Sequence, residues 1–131
     1  MTSTAPDSSR ASELSQKYAA YLPGIRQLWR VRHDERSQRR HEAWEAARRI
    51  ATLLRARYDA TQVVAFGSIV YPERFDERSD IDLAVAGIPA EFFFRAWASA
   101  GADCAFSLDL VDLRDCSPAL RELIAREGVP L

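Results

Sequence analysis

Two short apolar runs in the second half of the chain set its pattern. Val63, Val64, Ala65 and Phe66 are apolar on successive positions and stop at Gly67-Ser68, which predicts a mostly buried strand ending in a tight turn. In Ser79-Asp80-Ile81-Asp82-Leu83-Ala84-Val85 the period is two instead. Strand geometry puts Asp80 and Asp82 on one face and Ile81, Leu83 and Val85 on the other. A third run, Ala105 to Leu113, alternates in the same way. Phe106, Leu108 and Leu110 share one face there, while Ser107, Asp109 and Val111 share the other, so Asp109 is a strand-borne acid among apolar neighbours. Asp112 has the opposite parity, near the strand end, and is the weaker candidate.

Helical periodicity governs the rest. Residues 12–58 read as helix almost throughout, interrupted at Pro23-Gly24. Ser12 suits the cap of a short helix over Glu13 to Tyr21, and Pro23 the first turn of a long one. Ala43, Trp44, Ala47, Ile50, Ala51, Leu54 and Tyr58 recur at spacings of three and four, a stripe expected to pack on a sheet. Ile25, Leu28 and Trp29 make a smaller stripe upstream. Between the stripes, Arg30 to Glu42 is polar nearly all round, which describes a solvated face, a partner contact, or a helix held by pairs such as Glu35 with Arg39. It is not read as a nucleic-acid site. Pro89 opens a helix through Phe92, Phe93, Phe94 and Trp97 that ends near Gly101. Neighbours on a helix diverge by about 100°, so those three phenylalanines cannot all face one core. A last helix is bracketed by Ser117 as N-cap, Pro118 at its first position and Gly128 past its end, with Leu120, Leu123 and Ile124 as its apolar stripe.

Composition narrows the class. The 131 residues are 47% apolar and 28% charged, enough for one domain with a real core. No run of about 18 apolar residues occurs, so no membrane span is expected. Met1 to Arg10 is small and polar without the apolar stretch of a signal peptide, and a cytoplasmic protein with a disordered tail over residues 1–11 is expected. Cys104 and Cys116 make no C-x-x-C motif, and His33 and His41 lie far from them, so reduced thiols and no zinc site are the reading. Charge is uneven: residues 1–60 carry 12 Lys+Arg against 7 Asp+Glu, net +5, whereas residues 61–131 carry 6 against 12, net −6. A basic arm of that kind docks within the chain, helps to hold an anion, or steers an acidic partner.

The acids and the turn suggest chemistry. Gly67 lets a backbone come close to a ligand, because it has no Cβ and admits left-handed torsions. Ser68 is placed to cap a short helix over Ile69, Val70 and Tyr71, with amides and a hydroxyl facing an anion such as a triphosphate. Asp80 and Asp82 lie one pleat apart and repel each other unless a cation sits between them. Mg²⁺ is the natural candidate, since it is hard, oxygen-seeking and usually held by one or two carboxylates with substrate phosphates.

Gly-Ser, eleven residues, D-x-D on a strand, then a strand acid in the context D-L-V-D-L together resemble the nucleotidyltransferase fold of the DNA polymerase β and kanamycin nucleotidyltransferase-like superfamily. Within it the chain resembles the minimal nucleotidyltransferases (MNT), including MntA-type antitoxins paired with HEPN-domain toxins. The resemblance covers roughly Gln62 to Leu131. It implies an α/β (α+β) fold, a small mixed β-sheet flanked by helices, over residues 59–131, with residues 12–58 as a helical N-terminal extension packed against it. It also implies that Gly67 and Ser68 contact nucleotide phosphates and that Asp80, Asp82 and Asp109 bind two Mg²⁺ ions. One departure is visible: family members often follow Gly-Ser with a small residue, an Arg and a Gly, where this chain has Ile69-Val70-Tyr71-Pro72, so a lost phosphate contact would fall to Arg74 or Arg78.

The function so implied is transfer of AMP from ATP to a hydroxyl, a tyrosine of a cognate HEPN toxin, by an antitoxin. No stretch reads as a second substrate-binding domain, so a macromolecular acceptor that brings its own surface is expected. Two other readings stand beside it. One is a catalytically weak binding module that neutralises its partner by occlusion. The other is a small-molecule nucleotidyltransferase acting on an antibiotic, for which a homo-oligomer would help to wall a pocket.

Overall fold

A computed structural model describes residues 23–131. The short helix expected over Glu13 to Tyr21 and the tail over residues 1–11 lie outside the described residues. The described residues divide at Arg36 into two units, Pro23 to Glu35 and Arg36–Leu131. In the first, Pro23 to Glu35 are helical, and Leu28, Trp29 and Val31 are exposed.

The long helix α1 spans Pro23–Tyr58. It ends where Asp59 takes a left-handed backbone (φ 63°) and the Ala60 N–H closes back on the Leu54 carbonyl at 3.1 Å. Four strands follow: β1 (Gln62–Phe66), β2 (Ile81–Ala86), β3 (Leu108–Asp112) and β4 (Val129–Pro130), in the sheet order β3-β2-β1-β4. β1 and β2 pair antiparallel with Phe66 opposite Asp82, and β2 and β3 pair parallel with Asp82 opposite Asp109. The parallel pair needs a crossover, which helix α2 (Phe93–Ala102) supplies. β4 is an edge strand that the periodicity of the sequence does not announce, because it is two residues long and contains Pro130.

The sheet has two unlike faces. Val63, Ala65, Ile81, Leu83, Val85 and Leu110 point into the main core, against Ala43, Ala46, Ala47, Ile50, Ala51 and Leu54 of α1 and Ala96 and Ala100 of α2. Alanine at so many of these positions lets the helices come close to the strands. The other face is covered by the last helix, α3 (Pro118–Glu127), through Ile124 and Leu120 on Val64 and Ala84. Ser117 caps α3 by accepting the Leu120 N–H at 3.1 Å, and Gly128 ends it, as expected.

Elsewhere the elements differ from the sequence reading in detail. Ser68 does not cap a helix: Gly67–Val70 form one 3₁₀ turn with Phe66 in the cap position and no side-chain cap bond. β3 begins at Leu108 rather than Ala105, although Phe106 is still buried. The helix after Pro89 starts as a 3₁₀ turn over Ala90–Phe92 and runs through Gly101 to Ala102. Of its phenylalanines, Phe94 is 76% exposed and Phe92 39%, so they do diverge from one core. Among the described residues no helix is long and apolar enough to cross a membrane.

Leu54 is fully buried and Phe94 largely exposed. Leu54→Ala should cost about 2–5 kcal/mol in chemical denaturation. Phe94→Ala should stay within about 0.5 kcal/mol of the parent. Equal effects would contradict the placement of the core.

Candidate active site

The face under α3 is apolar at one end of the strands and acidic at the other. Along β2, Ala84 meets Ile124 and Leu120, while Asp82, two residues earlier, lies where β1 ends and the chain turns away. Asp109 is its neighbour on β3, and Asp80 precedes β2 by one residue with the same parity as Asp82. The three acids named by the pattern therefore gather at one end of one sheet face. Asp82 is half-buried, whereas Asp80 and Asp109 are exposed.

Asp82 bears the electrostatic cost of that arrangement. Burial first, then the charges of Asp109 and Asp80, push its carboxyl from the ordinary 3.8 up to about 6. Gly67 completes the crowding. Its φ is +78°, and a Cβ placed there would overlap Oδ2 of Asp82. The turn and the carboxylate are thus in direct contact, with room for a hydrogen atom but not for a methyl group.

Asp112 takes a different role, as its parity suggested. It is buried on the core side and gripped by Arg114, with Nη2 to Oδ2 at 2.7 Å and Nε to Oδ1 at 3.1 Å. That guanidinium holds its carboxyl below the usual range. The same Arg114 Nη2 donates to the Ile88 carbonyl at 2.6 Å, so the pair ties the end of β3 to the chain leaving β2.

The segment joining the turn to Asp80 is held from the helix. Arg40 donates its Nε to the Ile69 carbonyl at 2.8 Å and its Nη2 to the Val70 carbonyl at 3.3 Å. Arg39 donates Nε to the Asp76 carbonyl at 3.3 Å, and its guanidinium lies 4.6 Å from the Phe106 ring centre. Arg36 reaches Glu77 at 3.8 Å, an exposed pair of little energetic weight. Below them Ile69 and Phe75 are buried in the core. Asp76 closes a local turn by accepting the Arg78 N–H at 2.8 Å, and its own N–H donates to Ser79 Oγ at 3.0 Å. Of the readings open for the polar run, the solvated face does not hold for Arg39 and Arg40, whose guanidinium groups donate to backbone carbonyls. Arg74, named as a possible substitute cation, lies over the Tyr71 ring at 4.5 Å. Sequence reading missed Arg39 and Arg40. Arginines at 36, 39 and 40 share a helix side, but periodicity does not say what a polar stripe faces.

Among the described residues no three His, Cys, Asp or Glu side chains stand close enough to form a ready metal cage. The donor set still fits Mg²⁺ in its usual setting, in which one or two carboxylates act together with substrate phosphates. A half-buried carboxylate destabilised by two others is one that a cation would relieve.

No protein-family model matches the chain, and no curated protein matches it in sequence. Solved structures do. A candidate minimal nucleotidyltransferase is 31% identical, covers 68% of this chain and 95% of its own, and has a TM-score of 0.56. A toxin–antitoxin complex with AMP-PNP is 25% identical over 64% of this chain and 70% of that one, at a TM-score of 0.56. A complex of a tri-AMPylated Shewanella oneidensis HEPN toxin with its MNT antitoxin shares the fold at 23% identity, 67% and 70% coverage and a TM-score of 0.52.

Because the folded Asp82 carboxyl ionises near 6 and the unfolded one near 3.8, the folded chain holds a proton that the unfolded chain has lost between those values. Its contribution to stability is complete below about pH 3.8 and is lost as pH rises through about 6. Without divalent ions, Asp82→Asn should therefore melt above the parent at pH 7.5, and the gap should narrow as pH falls and close below about pH 3.8. A variant that melts lower at pH 7.5 would contradict the crowding. Gly67→Ala should lose about 1–3 kcal/mol from its left-handed backbone alone, measurable by denaturation.

Proposed function

This chain belongs to the minimal nucleotidyltransferases, and from that premise we propose that it transfers AMP from ATP to a tyrosine hydroxyl of a HEPN-domain toxin, acting as its antitoxin in the cytoplasm. The observation that carries the reading is the meeting of Asp82, Asp109 and Gly67 at one open end of the sheet. Support for the nucleotide comes from the neighbour that holds AMP-PNP, and support for the acceptor from the neighbour whose HEPN toxin is AMPylated.

The transfer forms a bond between the acceptor oxygen and the α-phosphorus and breaks the α–β phosphoanhydride, releasing pyrophosphate. Asp80, Asp82 and Asp109 are the residues that would hold Mg²⁺. When bound, the metal would lower the pKa of the attacking hydroxyl and neutralise the leaving phosphates. Asp109, which is exposed, would accept the hydroxyl proton. The amides of Gly67 and Ser68 would steady the phosphates beside Asp82.

Occlusion without chemistry has one observation in its favour, the lack of a ready three-acid cage among the described residues. Intact-mass spectrometry separates the two readings. The chain is incubated with the proteins encoded beside its gene, Mg²⁺ and ATP, in parallel with the Asp80→Asn/Asp82→Asn variant. One or more AMP additions on a neighbour, reduced at least about 100-fold in rate in the variant, is the expected result. A stable complex with either version and no mass gain would replace transfer by occlusion.

A further inference from the structure

We infer that Arg40 is the positioning residue of the nucleotide-binding turn, holding Gly67–Val70 against Asp82 from the long helix; this rests on the nucleotidyltransferase reading above. The two carbonyls it binds, those of Ile69 and Val70, close the 3₁₀ turn. Carbonyls at a helical end lack intrahelical partners, and a planar guanidinium can serve two of them at once. Ile69 is buried in the core, so the turn is pinned from two directions, by its side chain below and by Arg40 on its carbonyl end. What remains free is the other end, where the Gly67 and Ser68 amides lie.

The tolerance at that end is small. Gly67 touches the Asp82 carboxylate with no space for a methyl group, so slackening the turn changes the gap in which phosphates and acids must meet. Arg39 extends the same hold to the Asp76 carbonyl, four residues before Asp80. Consecutive arginines on one helix thus fix both the turn and the segment that leads to the acids. Arg40 touches no reacting atom in this arrangement. It acts through the turn.

The test uses the full chain with Arg40→Met, which keeps an unbranched stem and loses the fork, and Arg40→Lys. Arg48→Met is the control, because its guanidinium lies 5.8 Å from the Trp44 ring centre, as does that of Arg40, while Arg48 makes no bond to the turn. Binding of a fluorescent ATP analogue with Mg²⁺ is titrated, melting is recorded, and hydrogen exchange is followed over residues 67–79. For Arg40→Met the expected results are about tenfold or greater weakening of nucleotide binding, the scale of one lost charge-assisted bond, and faster exchange in that segment. Arg40→Lys should recover only part of this, and Arg48→Met should match the parent. Unchanged nucleotide affinity in a folded Arg40→Met variant overturns the inference, even if melting drops, since a purely structural contact would do that. Equal weakening by Arg48→Met overturns it as well. Failure of the parent chain to bind nucleotide at all overturns the nucleotidyltransferase reading, and this inference with it.

Discussion

The carboxylate of Asp82 is confined between a glycine with no room for a side chain and a second acid on the next strand. Antiparallel pairing of β1 with β2 sets the first neighbour, because Phe66 stands opposite Asp82 and the chain must turn immediately afterwards. Parallel pairing of β2 with β3 sets the second. Burial and two like charges then leave an acid that ionises only near pH 6, in a protein that gains nothing for its own fold from that charge. Such a group is a liability in the free chain and an asset to a cation-bound one, which is how a binding site differs from a structural ion pair. Asp112 shows the contrast within the same strand. It has its arginine, its pKa is lowered, and it serves to tie chain segments together.

The rest of the molecule makes that confinement rigid. α1 and α2 press an alanine-rich layer on one face of the sheet, so the strands carrying Asp82 and Asp109 are held from behind by the main core. On the front face α3 packs on Val64 and Ala84, with Phe66 and Leu113 against the same cluster. Beyond Ala84 the same face carries the half-buried Asp82, with Asp109 exposed beside it. The antiparallel addition of β4, and the hydrogen bond from Arg55 to the Leu131 carbonyl, fasten the end of the chain beside β1 and α1.

Charge works within the chain as well as at the site. The basic excess of residues 1–60 and the acidic excess of residues 61–131 are partly matched by Arg36, Arg39 and Arg40, but two of these three donate to backbone carbonyls rather than to carboxylates. That choice fixes loop geometry without neutralising the acids. A lysine would hold the same carbonyls less rigidly, because its ammonium lacks the fixed planar fork of the guanidinium.

The sequence by itself determined the first three strands, their faces and the candidate acids. A period of two assigns Asp82 on β2 and Asp109 on β3 each to one side, and a one-residue slip of either strand would turn its acid toward the core. It likewise determined α3, whose Ser117, Pro118 and Gly128 are local signals read over a few residues. Ser68 misled because a cap depends on the torsions of the turn, which the pairing of β1 and β2 imposes. β4 was silent because two residues carry no period. Only the tertiary structure decided that Arg39 and Arg40 face the segment after Gly67 and that Phe75, in a polar loop, is core. The physical reason is the same for each. Periodicity reports which residues share a face, whereas what that face meets depends on contacts between residues tens of positions apart.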